Sequence, residues 1–265
     1  MASPPRAAPS PILGRMRLLV PGRSGLPALT DLDTAALLTA YAVPPGPWVR
    51  CNMVSSLDGA ATGADGRSGS INNDADHVVF EVLRALSHVV VVGAGTIRAE
   101  GYSPFSVDGP LVEHRRERGL PDQLPLVAVS NRGEVPPTLR GCRDGRVLLA
   151  VPAAAPGLAQ ARRDLGEDNV VVCGDDELDV PTLLAALHDR GWSHVLTEGG
   201  PSLLGSFMAA GLLDELCFTV TPQVVGGEHP RPVGADATPT DLDLRLLVEQ
   251  DGTLMGRWFV RRQVG

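Results

Sequence analysis

The chain of 265 residues is 43% hydrophobic and 20% charged, so it carries enough apolar material for a sizeable core. It has no run of about 18 apolar residues, which excludes a membrane-spanning helix. The Pro-rich start lacks the apolar segment of a signal peptide, and we therefore expect a cytoplasmic protein. A net charge of -8 argues against binding to the phosphate backbone of a nucleic acid.

The basic residues exclude several classes of chemistry. All 23 are arginine, and without lysine there is no Walker A phosphate loop, no Schiff-base lysine and no lysine general base. The four cysteines form no C-x-x-C pair, and the six histidines form no H-E-x-x-H array. We therefore predict reduced thiols and no metal site.

The first predicted elements are a short helix, a strand and a longer helix. Residues 1–47 are predicted to be a Pro-rich extension whose helix covers 31–41, and residues 48–265 to form a single domain. A strand at 48–57 leads into a loop rich in Gly, Asp and Ser at 58–70. Asn73 or Asp74 then caps an amphipathic helix that runs to about residue 86.

The remainder of the chain alternates between apolar strands and helices. Strands are predicted at 88–93, 124–130, 147–151, 170–173, 194–197 and 215–220, and helices at 181–190 and from about 201. A D-G turn at 251–252 joins the predicted hairpin strands 242–249 and 254–261. This order predicts an α/β domain: a mostly parallel central sheet, helices on both faces and an antiparallel hairpin at the C-terminal edge.

One glycine pair stands between a strand and a helix. Glu198-Gly199-Gly200-Pro201 follows the strand that ends near Thr197. Glycines there allow backbone N–H groups to approach an anion, and the start of the helix adds partial positive charge. A tight turn that needs glycine for steric reasons alone explains the same residues.

A second glycine segment also follows a buried strand. Gly93, Gly95 and Thr96 precede a short predicted helix and are suited to holding phosphate or ribose. A simple Gly-rich turn is the alternative. Two such segments in one sheet strengthen the case for a dinucleotide, although their order along the chain is not that of a Rossmann unit.

The end of the first domain strand supplies a candidate acid. Ser56, Asp58 and Gly59 lie where that strand gives way to the loop. Asp58 is suited to polarising a substrate or positioning a water. An aspartate before glycine also commonly closes a turn through its own side chain.

Taken in order, these segments resemble a known family. Ser56-Leu57-Asp58-Gly59, the stretch around Gly95-Thr96 and Glu198-Gly199-Gly200 are followed by Leu213-Asp214-Glu215-Leu216 and by Gly226-Gly227. The ordered set, over about 48–261, resembles the pyrimidine reductases of riboflavin biosynthesis, whose fold is that of dihydrofolate reductase. The chain resembles the reductase domain alone, without the zinc deaminase domain that precedes it in bifunctional members.

The resemblance implies an enzyme, a cofactor and a set of contacts. The family reduces the ribosylamino group of a 5-amino-6-(5-phosphoribosylamino)uracil-type intermediate to ribitylamino with NADPH. Ser68 and Glu198 fall where family members contact the substrate. The candidates for moving the proton are Glu198, or a water held near Asp58 and Ser56; Glu198 and Asp58 are thus the candidate catalytic residues, and Ser56 a candidate substrate contact. The candidate cofactor contacts, taken from the resemblance and from the two glycine segments together, are Val54, Ser70, Gly93, Gly95, Thr96, Glu100, Ser130, Asn131, Arg132, Gly199, Gly200, Pro201, Ser202, Leu203, Leu204, Gly205 and Ser206. Arg132 is included on charge alone, as a partner for a 2′-phosphate; a solvated loop arginine is equally consistent with the sequence.

Three departures from the family pattern affect the substrate half of the site. Ala60 stands where members often carry lysine, Glu100 where an aspartate is usual, and residues 103–107 lack the arginine that holds the substrate phosphate. Loss of that arginine removes a contact of about 1.5–3 kcal/mol. Three later arginines are candidates to replace it: Arg115, Arg116 and Arg118.

Two alternatives to the pyrimidine reductase stay open at this point. A pterin such as dihydrofolate carries no phosphate and would not need the missing arginine. A non-catalytic NADPH-binding module would keep the glycine turns without the chemistry. The family also implies a homodimer formed through the C-terminal strands, with residues 254–260 apolar enough to serve.

Overall fold

The computed structural model describes residues 15–21, 27, 31–104, 107, 110–234 and 237–262. Within these residues ten strands form a single sheet. The strands are β1 (Arg17–Val20), β2 (Trp48–Ser56), β3 (Val89–Gly93), β4 (Leu126–Val129), β5 (Val147–Val151), β6 (Val170–Val172), β7 (His194–Thr197), β8 (Glu215–Thr221), β9 (Leu242–Gln250) and β10 (Thr253–Val260).

Seven α-helices lie in the same part of the chain. They are α1 (Thr34–Ala40), α2 (Asp74–Ala85), α3 (Ala94–Glu100), α4 (Pro110–Glu117), α5 (Leu158–Leu165), α6 (Val180–His188) and α7 (Pro201–Ala209). The expected caps are present: the side chains of Asp33, Asn73 and Asp179 accept hydrogen bonds from the first turns of α1, α2 and α6.

The strand order is β1-β9-β10-β8-β2-β7-β3-β4-β5-β6. The seven strands from β8 to β6 run parallel, and β10, β9 and β1 continue the sheet in antiparallel pairing. Helices α2 and α5 cover one face, and α6 and α7 cover the other. The predicted α/β class, parallel sheet and terminal hairpin are therefore confirmed.

The buried strands are those with continuous apolar sequence. Val89 to Val92 of β3 and all five residues of β5 are buried, as expected for strands with helices on both faces. Because the parallel strands point the same way, their carboxyl ends meet at one edge. That edge collects Ser56, Gly93, Val129 and Thr197, which are the ends of β2, β3, β4 and β7.

Four details differ from the sequence prediction. Strand β1, which was not predicted, pairs with β9, so the C-terminal hairpin is not the outermost part of the sheet. Helices α4 and α5 were not predicted either, since both have polar, charged sequences. Residues 94–96 form the first turn of α3 and not a loop before it.

A buried charge cluster attaches α1 to the sheet. Glu215 pairs with Arg50 at 2.7 Å and with Arg257 at 2.8 Å, and all three side chains are buried. Arg50 donates to the carbonyl of Tyr41, and Arg257 donates to those of Ala40 and Ala42. The two guanidinium groups thereby satisfy carbonyls at the C-terminal end of α1.

In the part of the chain that the structure describes, no helix is long and apolar enough to cross a membrane. Cys51, Cys142, Cys173 and Cys217 form no disulfide.

Candidate active site

A cleft of about 580 Å³ opens at the carboxyl edge of the parallel strands. Val54 at the end of β2, Thr96 on α3 and Glu198 after β7 line it, together with residues of α2. A second cavity, of about 390 Å³, adjoins the cleft and shares lining residues at the starts of α3 and α7. It extends beyond the end of β4 to Asn131. We call the first the cleft and the second the groove.

The two glycine turns contact each other between the cleft and the groove. The Gly93 amide donates to the Gly199 carbonyl at 2.8 Å, because β3 and β7 are neighbours in the sheet. The peptide bond between Gly199 and Gly200 is cis. A Cβ atom on Gly200 would lie 2.7 Å from Thr96 Oγ1, which is closer than real contacts allow. Glycine at position 200 permits this close approach, which a larger residue would allow only if Thr96 moved.

The start of α7 has the features of a phosphate site. Gly200 caps the helix without a side-chain hydrogen bond, and Pro201 occupies its first turn. The remaining N–H groups of that turn face no helical acceptor, and the helix dipole adds positive charge there. Ser202 and Ser206 line the groove beside them. These donors, in a groove where a side chain on Gly200 would clash, fit the diphosphate of a dinucleotide.

Glu198 is held in the cleft by two partners. Arg84 Nε and Nη2 donate to its two carboxylate oxygens at 2.7 and 2.9 Å. Tyr102 also bonds the Glu198 side chain, and burial together with this carboxylate raises the pKa of the phenol. The Glu198 amide donates to the carbonyl of Val91 at 3.1 Å, which continues the pairing of β7 with β3. The carboxylate is thus buried and fixed in orientation.

Ser68 and Glu100 meet at another part of the same cleft. Glu100 Oε1 accepts from the Ser68 amide at 2.7 Å and from its hydroxyl at 3.0 Å. This pair ties the loop before α2 to the end of α3, and both residues line the cleft. A substrate in the cleft would contact a hydroxyl that is already oriented.

Comparison with known proteins agrees with this geometry. The family model described as the RibD C-terminal domain matches residues 47–253. The chain belongs to the RibD C-terminal domain family.

Two of the named relatives of this chain are reductases. The chain is 31% identical to a 2,5-diamino-6-ribosylamino-4(3H)-pyrimidinone 5′-phosphate reductase of Archaeoglobus fulgidus, over 68% of this chain and 83% of that protein. The protein of the same name from Methanothermobacter thermautotrophicus is 30% identical, over 70% and 82%. The riboflavin biosynthesis protein RibD of Mycobacterium tuberculosis is 29% identical over 68% of this chain, which spans 44% of that protein.

Solved structures show the shared fold. A pyrimidine reductase-like protein of Corynebacterium diphtheriae superposes with a TM-score of 0.74, at 24% identity, over 82% of this chain and 93% of that one. The α/β sheet described above is thus the fold that this pyrimidine reductase-like protein also adopts, and membership of a family of reductases implies a nicotinamide cofactor.

Thirteen of the residues predicted from the sequence line the cleft or the groove. Val54, Ser68, Glu100 and Glu198 line the cleft, Gly95, Thr96, Gly200 and Pro201 line both, and Gly93, Asn131, Ser202, Leu203 and Ser206 line the groove. The assignment of these residues as contacts stays a prediction.

Other predicted contacts lie outside both cavities. They are Ser56, Asp58, Ser70, Ser130, Arg132, Gly199, Leu204 and Gly205. Leu204 and Gly205 are buried in the helix packing, and Arg132 is exposed. The hydroxyls of Ser70 and Ser130 close local turns, to Asp65 and Glu134 respectively.

The structure gives Asp58 a role other than the predicted catalytic one. Its carboxylate accepts from the Ser56 hydroxyl at 2.6 Å and from the amides of Val225 and Gly226. These hydrogen bonds, chiefly the one from Ser56, lower the pKa of Asp58 to about 2. The carboxylate therefore joins the end of β2 to the segment after β8.

The three candidate replacements for the missing phosphate arginine also lie elsewhere. Arg115 is fully buried and donates to the carbonyls of Pro121 and Ser87. Arg116 pairs with Asp122 at the surface, and Arg118 is exposed. The lining of the cleft includes none of them.

Sequence reasoning missed one face of α2. Asp76, Phe80 and Arg84 line the cleft at intervals of four residues, which places them on one side of the helix. Arg84 also lies over the Phe80 ring, 3.9 Å from its centre. The sequence did carry a signal for this face, since an acid, an aromatic ring and an arginine recur at i, i+4 and i+8. The apolar residues between them mark the buried face of the helix more strongly and obscured this second pattern.

Proposed function

We propose that this protein uses NADPH to reduce the ribosylamino group of a 6-ribosylaminopyrimidine 5′-phosphate to ribitylamino, as a step of riboflavin biosynthesis. The observation that carries the proposal is Glu198, held by Arg84 at the point where the cleft meets the glycine turns. Reductases of this substrate class are among the named relatives.

The groove is the proposed place for the adenosine and diphosphate parts of the cofactor. The start of α7, with Ser202 and Ser206, would hold the diphosphate, and Thr96 would lie beside it. Asn131 stands at the far end, where its side-chain oxygen accepts from the Leu178 amide. NADPH, when bound, supplies the hydride.

The cleft is the proposed place for the pyrimidine and its ribosyl group. Because Arg84 and Tyr102 hold the Glu198 carboxylate, it can accept a hydrogen bond from an N–H of the substrate without moving. Ser68, oriented by Glu100, offers a hydroxyl to the same substrate. The chain's own contribution is orientation and a fixed negative charge beside the nitrogen that gains a proton.

Another arginine can replace the missing phosphate contact. Arg67 stands between Gly66 and Ser68, which both line the cleft, and it is exposed. The residue is therefore at the rim, where a 5′-phosphate can remain partly hydrated. We propose that Arg67 pairs with the substrate phosphate.

A direct activity assay tests the proposed function. Purified protein is mixed with NADPH and the phosphoribosylaminopyrimidine, and NADPH absorbance and product mass are followed. The expected product is heavier than the substrate by two hydrogens. No NADPH oxidation at saturating substrate would contradict the proposal.

Preference for NADPH over NADH is the finer part of the cofactor proposal. Arg132 follows β4 next to Asn131, which lines the groove, and it is a candidate for the 2′-phosphate. Comparing kcat/KM with the two cofactors, in the wild type and in Arg132→Ala, tests this residue.

The named relatives act on pyrimidinones, which favours a pyrimidine over a pterin as the substrate. The homodimer and the cytoplasmic location stay predictions. Strand β10, expected to serve in the dimer, already pairs with β9 on one side and β8 on the other. A dimer through an open edge of β10 is therefore not available. Analytical ultracentrifugation measures the oligomeric state.

A further inference from the structure

Two buried oxygen atoms in the wall of the cleft have no hydrogen-bond partner. Asp76 is 2% exposed and Asn52 is 7% exposed, and both line the cleft. Neither Asp76 Oδ1 nor Asn52 Oδ1 accepts a hydrogen bond. Buried polar atoms in folded proteins are nearly always bonded. These two acceptors therefore call for donors that a ligand in the cleft can bring.

The fold brings the two acceptors over the same face of the sheet. Asn52 on β2 is paired in register with Cys217, and Val54 with Thr219, so these four side chains lie on one face. Asp76 reaches this face from α2 and receives a hydrogen bond from Thr219. That bond engages part of the carboxylate and leaves Oδ1 open.

The carboxylate of Asp76 is charged under ordinary assay conditions. Burial raises its pKa to about 6, while the Thr219 hydrogen bond and the nearby His77 act in the opposite direction. The arginine on the cleft face of α2, Arg84, is engaged by Glu198 and Glu81. A buried carboxylate in this state attracts N–H groups and repels carbonyl oxygens.

Two pyrimidine rings compatible with the proposed function differ at one edge. A 2-amino-4-oxopyrimidine presents a ring N–H and an amino group, which are two adjacent donors. The corresponding uracil presents a ring N–H and a carbonyl oxygen, which are one donor and one acceptor. Phe80, one turn from Asp76 and also in the lining, offers an aromatic surface to either flat ring.

We infer that Asp76, assisted by Asn52, selects a substrate that still carries its 2-amino group over the corresponding uracil. The inference rests on the proposed function and names the ring on which that function acts. Two adjacent donors satisfy the open acceptors. The uracil instead leaves one acceptor unsatisfied and sets its carbonyl oxygen against a carboxylate.

The test compares both substrates in matched variants. The wild type is expected to show a kcat/KM about 100-fold higher for the 2,5-diaminopyrimidinone than for the aminouracil, since one hydrogen bond to a charged group is at stake. Asp76→Asn replaces an acceptor with a group that also donates, so it should reduce that ratio about 100-fold. Asp74→Asn, on the exposed side of the same helix, is the control and should leave the ratio unchanged.

Each outcome decides the inference. It is overturned if the wild type prefers the uracil or treats both rings alike, or if Asp76→Asn lowers both rates but preserves their ratio. Thermal unfolding of Asp76→Asn verifies folding, and removal of a buried charge should not lower its midpoint at neutral pH.

Failure of the proposed function would be recognised separately, as no NADPH oxidation with either substrate. In that case calorimetry with 2,5,6-triamino-4-pyrimidinone and with 5,6-diaminouracil tests Asp76 directly. Binding of the triamino compound in preference to the uracil, lost in Asp76→Asn, supports the inference. Equal binding or no binding of the two compounds overturns it.

Discussion

Arg84 and Glu198 meet in the cleft from two separate elements, with nitrogen–oxygen distances of 2.7 and 2.9 Å. The arginine comes from the last turn of α2, and the glutamate follows β7. The pair is nearly buried, so neither charge can be removed without leaving the other poorly compensated.

Removing this arginine should impair the chemical step more than cofactor binding. Arg84→Gln is expected to lower kcat about 100-fold, because a misplaced group costs about that much, while KM for NADPH stays near the wild-type value. Steady-state kinetics measure both. Arg98→Gln, which removes a surface pair with Glu134, is the control. A wild-type kcat in Arg84→Gln would show that orientation of Glu198 is unimportant.

The close approach of Gly200 and Thr96 predicts a rescue. Gly200→Ala brings a Cβ atom to 2.7 Å from Thr96 Oγ1; apart from the two chain neighbours, no other atom of the described residues lies within 4 Å of that position. We expect about tenfold weaker NADPH binding by calorimetry, the equivalent of about 1.4 kcal/mol. Thr96→Ala removes the clashing atom. In a Thr96→Ala protein, Gly200→Ala should therefore weaken NADPH binding by less than tenfold. Strictly additive effects would contradict the contact.

The rim position of Arg67 predicts a defect confined to the phosphorylated substrate. Arg67→Ala should raise KM for the 5′-phosphate about tenfold or more, through loss of a charge-assisted hydrogen bond. KM for the dephosphorylated substrate and for NADPH should not change. If the phosphorylated and dephosphorylated substrates are affected equally, the phosphate lies elsewhere.

The buried cluster around Glu215 should dominate stability. Glu215→Gln leaves Arg50 and Arg257 without their counter-charge, and we expect the free energy of unfolding to fall by about 3–5 kcal/mol. Glu113→Gln breaks an exposed pair with Arg116 and should cost about 1 kcal/mol or less. Urea denaturation measures both variants, and equal losses would refute the assigned importance of the cluster.

The stacked pair of His88 and His194 predicts an acid-sensitive stability. Burial and the neighbouring ring lower the pKa of His88 to about 4, and its Nδ1 accepts from the Ser193 amide at 3.1 Å. The unfolded chain takes up this proton near pH 6.5, before the folded one does, so the free energy of unfolding falls as pH drops from about 6.5 towards 4.

Comparison of variants isolates that contribution. His88→Asn keeps an acceptor oxygen but no titrating ring, and its stability should depend less on pH over this interval. His188→Asn, at an exposed position, should behave as the wild type. Asp76 titrates in the opposite sense near the same pH, but it is present in all three proteins and cancels in the difference. If the free energy of unfolding changes with pH equally in all three proteins, His88 is not the cause of the acid sensitivity.

Much of the fold could be read from local patterns. The valine run of β3, the capping Asn73 and the Asp251-Gly252 turn each specify their own element, since burial on both faces, a first-turn acceptor and a left-handed backbone are local requirements. Strand β1 was missed because four residues carry little pattern. It exists through its pairing with β9, more than 200 residues away.

The residues of the site also divide into those that local sequence predicted and those that packing between distant segments placed there. By itself the sequence determined the strand ends and the glycine turns that follow them, because turn chemistry depends on neighbouring residues. Only the tertiary structure decided that Asp58 serves the turn after β8, and that Asp76, Phe80 and Arg84 face the cleft. Those outcomes depend on how α2 is rotated over the sheet and on which strands lie beneath it, and packing between distant segments sets both.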